Sequence, residues 1–153
     1  MSAPSNPLIA VDVGNSAVKC GHYSKPFSQE TPLHLEQLAP NTVLQLPPHL
    51  QGFAHWLEQL PSHPHDWRIS SVQRDVQKEL HRQIKNARPD DQITLLTPDH
   101  FPIHCDVEHP HTVGTDRLAA ACAVNHVRDQ NNPAIIIDAG TATTIDLIDC
   151  QGI

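Results

Sequence analysis

The feature that most restricts how this chain can fold is a pattern that it uses twice. Leu8-Ile9-Ala10-Val11-Asp12-Val13 is an apolar run closing on an acid; it breaks at Gly14-Asn15 and resumes as Ala17-Val18-Lys19-Cys20-Gly21-His22-Tyr23. Ala134-Ile135-Ile136-Ile137-Asp138 repeats the scheme, bends at Gly140-Thr141 and returns over Thr144–Ile148. A short apolar run bounded by turn residues reads as a buried strand. Each copy is therefore expected to be a strand–turn–strand unit with an acid at the end of its first strand, the two in the same register. Two copies suggest a duplicated architecture. The chain of 153 residues stops soon after the second copy begins, so most of a second domain is expected to lie outside it.

The stretch between the copies alternates helices and strands. Residues 24–48 carry five prolines, which restrict strands at Thr31–Leu35 and Thr42–Leu46 to edges or brief pieces. Pro48 to Leu60 places Leu50, Phe53, Ala54, Leu57 and Leu60 at helical spacing. Trp67–Val72 reads as a strand, and Asp75–Ala87 as a helix with Val76, Leu80 and Ile84 on one face. Ile93–Thr97 reads as another strand, and 98–112 as irregular. Gly114–Asp129 reads as a helix, with Leu118, Ala121, Cys122 and Val124–Val127 inward. Such an order predicts an α/β domain around a partly parallel sheet. The boundaries are set at 1–7 for a disordered leader, 8–130 for the first domain and 131–153 for the start of a second.

Composition removes whole function classes. Ten Lys and Arg against seventeen Asp and Glu give a formal charge of −7, a poor match to a phosphodiester backbone, which needs clustered cations. No window nears the roughly 18 to 20 apolar residues of a spanning helix, and the first residues lack the basic and apolar regions of a signal peptide. A cytoplasmic protein with no nucleic-acid or membrane partner is expected. Cys20, Cys105, Cys122 and Cys150 lack zinc-knuckle or redox-pair spacing and read as buried reduced thiols. The twelve histidines read as surface residues, and Trp56 and Trp67 as core.

The bends carry the chemistry. Gly14 lets the backbone approach a ligand without a Cβ in the way, and the N–H groups of Gly14, Asn15 and Ser16 can converge on phosphate oxygens. Lys19 adds a point charge. The Asp12 carboxylate would repel a bare phosphate and so requires Mg²⁺ between them. Asp138, Gly140, Thr141, Thr143 and Thr144 repeat the arrangement, so the pair could grip the phosphate tail of a nucleotide from two sides. A third feature is Val113-Gly114-Thr115-Asp116-Arg117-Leu118, where a helix begins. Asp116 suits the positive end of the helix dipole, but Arg117 does not. Arg117 therefore needs a carboxylate, either in the fold or on a substrate onto which it can fork.

Taken together, Asp12-Val13-Gly14-Asn15-Ser16-Ala17-Val18-Lys19, Gly114-Thr115-Asp116-Arg117 and Asp138-Ala139-Gly140-Thr141-Ala142-Thr143-Thr144 resemble the three signatures of type III pantothenate kinases, in order and from residue 8 to the end. That family belongs to the acetate-kinase/sugar-kinase/Hsp70/actin superfamily. The resemblance implies ribonuclease-H-like domains with a mixed central sheet, here the first domain and the opening hairpin of a second. It implies ATP-dependent phosphorylation of pantothenate to 4'-phosphopantothenate, the first step of coenzyme A biosynthesis. Residues 12–19 would bind ATP, with Asp12 near Mg²⁺ through phosphate and Lys19 near the phosphates. Thr141 would contact ATP, and Asp138 would help hold a monovalent cation, K⁺ or NH4⁺. Gly114, Thr115, Asp116 and Arg117 would hold pantothenate, with Asp116 as general base, and members are homodimers. Two substitutions depart from the pattern: Ser16 stands where Thr is usual, and Val107 where a substrate-contacting Tyr is usual. The alternatives are a non-catalytic relative acting as a regulator or binding protein, and a sugar or acetate kinase of the same superfamily, which the Gly-x-Asp-Arg helix start disfavours.

Overall fold

Alternation decides the first two strands. In β1 (Leu8–Val13) the odd-numbered Ile9, Val11 and Val13 are buried, and in β2 (Val18–Tyr23) Val18, Cys20 and His22 are. Strand side chains alternate faces, so both strands turn these residues to one core. The computed structural model describes residues 6–24 and 39–153; the strand expected at Thr31–Leu35 lies outside them. The chain forms two compact units, one running to Leu95 and one from Leu96 to Ile153.

The first unit is a five-stranded mixed sheet in the order β3-β2-β1-β4-β5. β3 (Thr42–Leu46) pairs antiparallel with β2, and β2 antiparallel with β1. β4 (Asp66–Ser71) pairs parallel with β1, and β5 (Gln92–Leu95) parallel with β4. The parallel half needs crossovers, supplied by α1 (Phe53–Gln59) before β4 and α2 (Arg74–Ala87) before β5. Phe53 and Leu57 of α1 and Leu80 and Ile84 of α2 join Ile9, Val11, Trp67 and Ile69 in one apolar cluster. Trp56 and Trp67 meet edge to face, ring centres 6.1 Å apart. Trp67 is a core residue, as expected, and half-buried Trp56 packs against the core. Truncating fully buried Leu80 to Ala would cost roughly 2–5 kcal/mol.

The helix expected from Pro48 starts only at Phe53. Leu50 has φ 57° and Gly52 φ 90°, left-handed values that no α-helix accommodates. A turn closed by Leu50 N–H to the Pro47 carbonyl buries Leu50 in place of a helix face.

The second unit holds α3 (Thr115–Val127) and a two-stranded antiparallel sheet of β6 (Ala134–Ala139) and β7 (Thr143–Ile148), with short 3₁₀ turns at Pro98–His100 and Pro110–Thr112. Leu118 of α3 and Ile148 of β7 are buried. Val127, expected inward, is exposed. β6 is not the buried strand its composition suggests: Ile135, Ile137, Ile145 and Leu147 form an exposed face. All four cysteines are free, with Cys20 alone buried and Cys150 exposed. Burial pushes the Cys20 thiol up to about 12.

Two histidines correct the surface expectation. His65 is fully buried and His22 nearly so, their rings 5.2 Å apart; His63 stacks on His65 at 4.8 Å. Arg88 Nη2 donates to His65 Nδ1 at 3.0 Å. Arginine has no acceptor, so Nδ1 accepts and the proton sits on Nε2, which has no partner among the described residues. Asp91 joins the same cluster, accepting from Trp67 Nε1 at 2.8 Å, Arg88 Nε at 2.6 Å and the His65 backbone N–H at 3.1 Å. Burial raises the Asp91 carboxyl, but the hydrogen bonds from Arg88, Trp67 and His65 outweigh it and leave it lowered. Burial, then the Arg88 charge, lowers His65 to about 4. The folded state thus keeps His65 neutral where the unfolded chain, titrating near 6.5, takes up a proton. Stability from this group is full above about pH 6.5 and is lost as pH falls toward 4. Thermal midpoints measured across that window should fall in the wild type and fall less steeply in His65→Gln; equal slopes would contradict the assignment.

Candidate functional site

The first bend hangs from the centre of the five-stranded sheet. Pairing of β1 with β2 sets Asp12 opposite Lys19 and Val13 opposite Val18, leaving residues 14–17 to turn. The Gly14 N–H donates to the Ala17 carbonyl at 3.0 Å. That amide closes the bend on itself, a correction to the expectation that it joins Asn15 and Ser16 in facing a phosphate. Asn15 Oδ1 accepts from Gln73 Nε2 at 3.0 Å, and the Val72 N–H donates to the Val13 carbonyl at 3.1 Å. The bend is therefore braced by the β4–α2 junction, with Asn15, Ser16 and Lys19 exposed. A Cβ added at Gly14 would meet the Ala17 carbonyl oxygen at 3.4 Å, so the fold tolerates one and a closely approaching ligand would not.

The second bend is not a copy of the first. β6 and β7 pair Asp138 with Thr144 and Ala139 with Thr143, leaving only residues 140–142. The Gly140 N–H donates to the Ala142 carbonyl at 3.0 Å. One residue fewer changes what faces the acid: a lysine across from Asp12, a threonine across from Asp138. The expectation of equal register is corrected by this count. Asp138, Thr141 and Thr143 are exposed. They are carboxylate and hydroxyl oxygens, the donor type that hard cations select. A Cβ at Gly140 would find only the Ala142 carbonyl oxygen, 3.8 Å away, so the bend is open. Oxygens of this type suit a cation beside Asp138.

The third feature opens α3. Gly114 is its N-cap at φ −62°, ψ 144°, Thr115 is buried, and Asp116 is exposed in the first turn. Asp116 Oδ1 accepts from the Arg117 backbone N–H at 2.9 Å, which folds the carboxylate back over Gly114. A Cβ on Gly114 would collide with Asp116 Oδ1. Glycine leaves room for the Asp116 carboxylate in this position, and the backbone angles themselves are open to any residue.

Arg117 finds its carboxylate within the fold. Its Nε donates to Oδ1 and Oδ2 of Asp146 at 3.1 Å each, and Nη2 donates to Oδ1. The pairing raises the Arg117 guanidinium further above its ordinary value. Asp146 sits on β7, on the face it shares with buried Ile148, and is half-buried. Sequence reasoning passed over it. The available signal was an acid at an inward position of the otherwise apolar run Ile145-Asp146-Leu147-Ile148.

A cavity of about 400 Å³ lies beside this pair, lined among others by Ile103, Cys105, Val107, Arg117, Leu118 and Asp146. Its size is that of a small-molecule site. It brings together Val107 and Arg117 of the expected substrate residues; Gly114, Thr115 and Asp116 do not line it. Among the described residues, no helix is long and apolar enough to cross a membrane.

A mixed α/β chain with two acid-ended hairpins and a Gly-x-Asp-Arg helix start defines a class recognisable by sequence. The chain belongs to the type III pantothenate kinase family, whose profile matches residues 8–153. A type III pantothenate kinase from Rhodopirellula baltica is 27% identical over 161 aligned positions, covering 95% of this chain and 58% of the relative. One from Aquifex aeolicus is 31% identical over 81, covering 53% and 34%. One from Azobacteroides pseudotrichonymphae is 48% identical over 53, covering 35% and 21%. Even the longest of these matches spans little more than half of the relative's length.

Gly114→Ala separates scaffold from site. Its backbone angles suit alanine, so helix content and thermal midpoint should stay close to wild type while the Asp116 carboxylate moves. The Asp116 side-chain carboxyl ¹³C resonance should shift clearly; an unmoved resonance would contradict the close approach.

Proposed function

We propose that this chain is the N-terminal part of an ATP-dependent kinase that converts pantothenate to 4'-phosphopantothenate, the first step of coenzyme A biosynthesis. The observation that carries the reading is the family match over residues 8–153, which takes in all three motifs. In this reading Asp12, Asn15, Ser16 and Lys19 bind the phosphates of ATP, with Gly14 allowing close approach, and Thr141 contacts ATP. Asp138 helps hold a monovalent cation. Gly114 through Arg117, with Val107, hold pantothenate. The five-stranded mixed sheet is compatible with a first ribonuclease-H-like domain, and β6–β7 opens a second. The working protein is a homodimer.

Phosphoryl transfer asks little covalent chemistry of a protein and relies on positioning and charge stabilisation. Asp12 would hold Mg²⁺ through phosphate, and the ion would supply neutralisation of phosphate charge. Asp116 sits where the helix dipole favours a carboxylate. It accepts the proton of the primary hydroxyl as that oxygen bonds to the γ-phosphorus and the bond to the bridging oxygen of ADP breaks. Lys19 places its charge near the phosphates. Val107 offers an apolar surface where a hydroxyl is usual, which weakens a polar contact to the substrate without touching the reacting atoms.

Two substitutions test the roles. In the full-length protein, Asp116→Asn should lower ATP-dependent phosphorylation of pantothenate by about 10²- to 10⁴-fold, the usual worth of a general base, with the circular dichroism spectrum unchanged. Near-normal turnover would reassign the base. Lys19→Ala should weaken ATP binding more than pantothenate binding in calorimetric titrations; the reverse order would move the first bend out of the nucleotide site.

A further inference from the structure

We propose that Asp146 is a positioning residue for substrate binding: its carboxylate holds the Arg117 guanidinium by the Nε and Nη2 edge, so that the Nη1 edge is presented to a polar group of the ligand. The inference rests on the reading that the Gly-x-Asp-Arg segment binds pantothenate, and it adds a residue outside the three motif segments.

Three observations carry it. First, the contact is two-pronged and spans 29 positions of chain, joining the first turn of α3 to the middle of β7. A fork onto both carboxylate oxygens fixes the plane of the guanidinium as well as its place. Second, the pair uses Nε and Nη2 only, and the donors of Nη1 have no hydrogen-bond partner among the described residues. Arg117 and Asp146 both line the cavity of about 400 Å³. Third, the pair is a poor choice for stability alone. Asp146 shares its strand face with Ile148, packed toward α3, where an apolar side chain would avoid the desolvation of an acid. Arg117 also lies where the helix dipole opposes a cation. What the ion pair provides, and a leucine could not, is a fixed direction for five N–H donors.

The charges around the cavity refine the prediction. Asp106, Asp146 and Asp149 line it beside Arg117. With Asp146 already compensating Arg117, the Nη1 donors suit an uncharged oxygen, such as an amide carbonyl or a hydroxyl, better than a carboxylate. Losing Asp146 would free the guanidinium to turn, and ligand binding would weaken while the chemical step, assigned to Asp116, would not.

The test is a double-mutant cycle in the full-length protein, with calorimetric pantothenate binding measured in the presence of a non-hydrolysable ATP analogue, Mg²⁺ and K⁺. The Arg117 Nε–H resonance reports the pair directly. Asp146→Asn should raise the pantothenate Kd by about 10- to 100-fold, the usual effect of removing a group that orients a binding side chain, and should abolish the protected Nε–H signal. In an Arg117→Lys background the same change should do little. Wild-type affinity in Asp146→Asn, or additive effects in the cycle, would overturn the proposal and leave the kinase reading standing. Absence of pantothenate binding in the wild type, with the Nε–H signal present, would overturn the kinase reading and this proposal with it. If Asp146→Asn does not fold, Asp146→Glu, which keeps the charge at a longer reach, replaces it: a protected Nε–H signal with weakened binding supports the proposal, and unchanged binding overturns it.

Discussion

The first unit depends on β1 being paired along its whole length on both edges. β2 runs antiparallel on one side and β4 parallel on the other, each in register with all six residues from Leu8 to Val13. A strand held in this way cannot slip by one residue without exchanging its buried and open faces. Ile9, Val11 and Val13 are thereby locked into the core, and Asp12 is delivered to the opposite face at the strand end. The bend after it is held in turn, through Val13 to Val72 and Asn15 to Gln73. An acid on a flexible loop would have to be ordered by its ligand; this one is ordered by hydrogen bonds already made.

The second unit reaches order by different means. Its sheet has two strands, and a face carrying Ile135, Ile137, Ile145 and Leu147 is exposed. An isolated hairpin is marginally stable in water. Packing of α3 on the other face, with Leu118 and Ile148 buried, supplies what the short sheet lacks. The Arg117–Asp146 fork ties the first turn of α3 to the strand that follows the Asp138 bend.

Much of this was legible in the sequence, and the reasons differ by element. β1, β2, α2, α3 and the β6–β7 hairpin follow from periodicity and from the Gly and Pro residues that bound them. Local patterns of that kind survive into the fold because tertiary packing reinforces them. The start of α1 was misplaced because Leu50 adopts a left-handed φ that a leucine rarely does. The burial of His65 comes with contacts to Arg88 and Asp91, and that of His22 with its contact to His65, all far apart in sequence, and no local pattern encodes them. The two bends looked equivalent because their motifs align by residue type. Their registers differ by one position, which depends on strand pairing and not on composition. Asp146 was hidden for a related reason: its partner lies on another element, and only the pairing of α3 with β7 reveals why an acid stands in that strand. Of the site, the motif residues were legible one by one, while the side-chain links between them were not.

The fate of the terminal phosphoryl group of ATP distinguishes a pantothenate kinase from its rivals. Incubating the full-length protein with ATP, Mg²⁺ and pantothenate, with and without K⁺, and following the products by ³¹P NMR tests this directly. A single phosphomonoester on the primary hydroxyl of pantothenate, formed at matched rate with ADP and accelerated by K⁺, is the predicted outcome. Release of inorganic phosphate with pantothenate untouched, or no consumption of ATP at all, would contradict it.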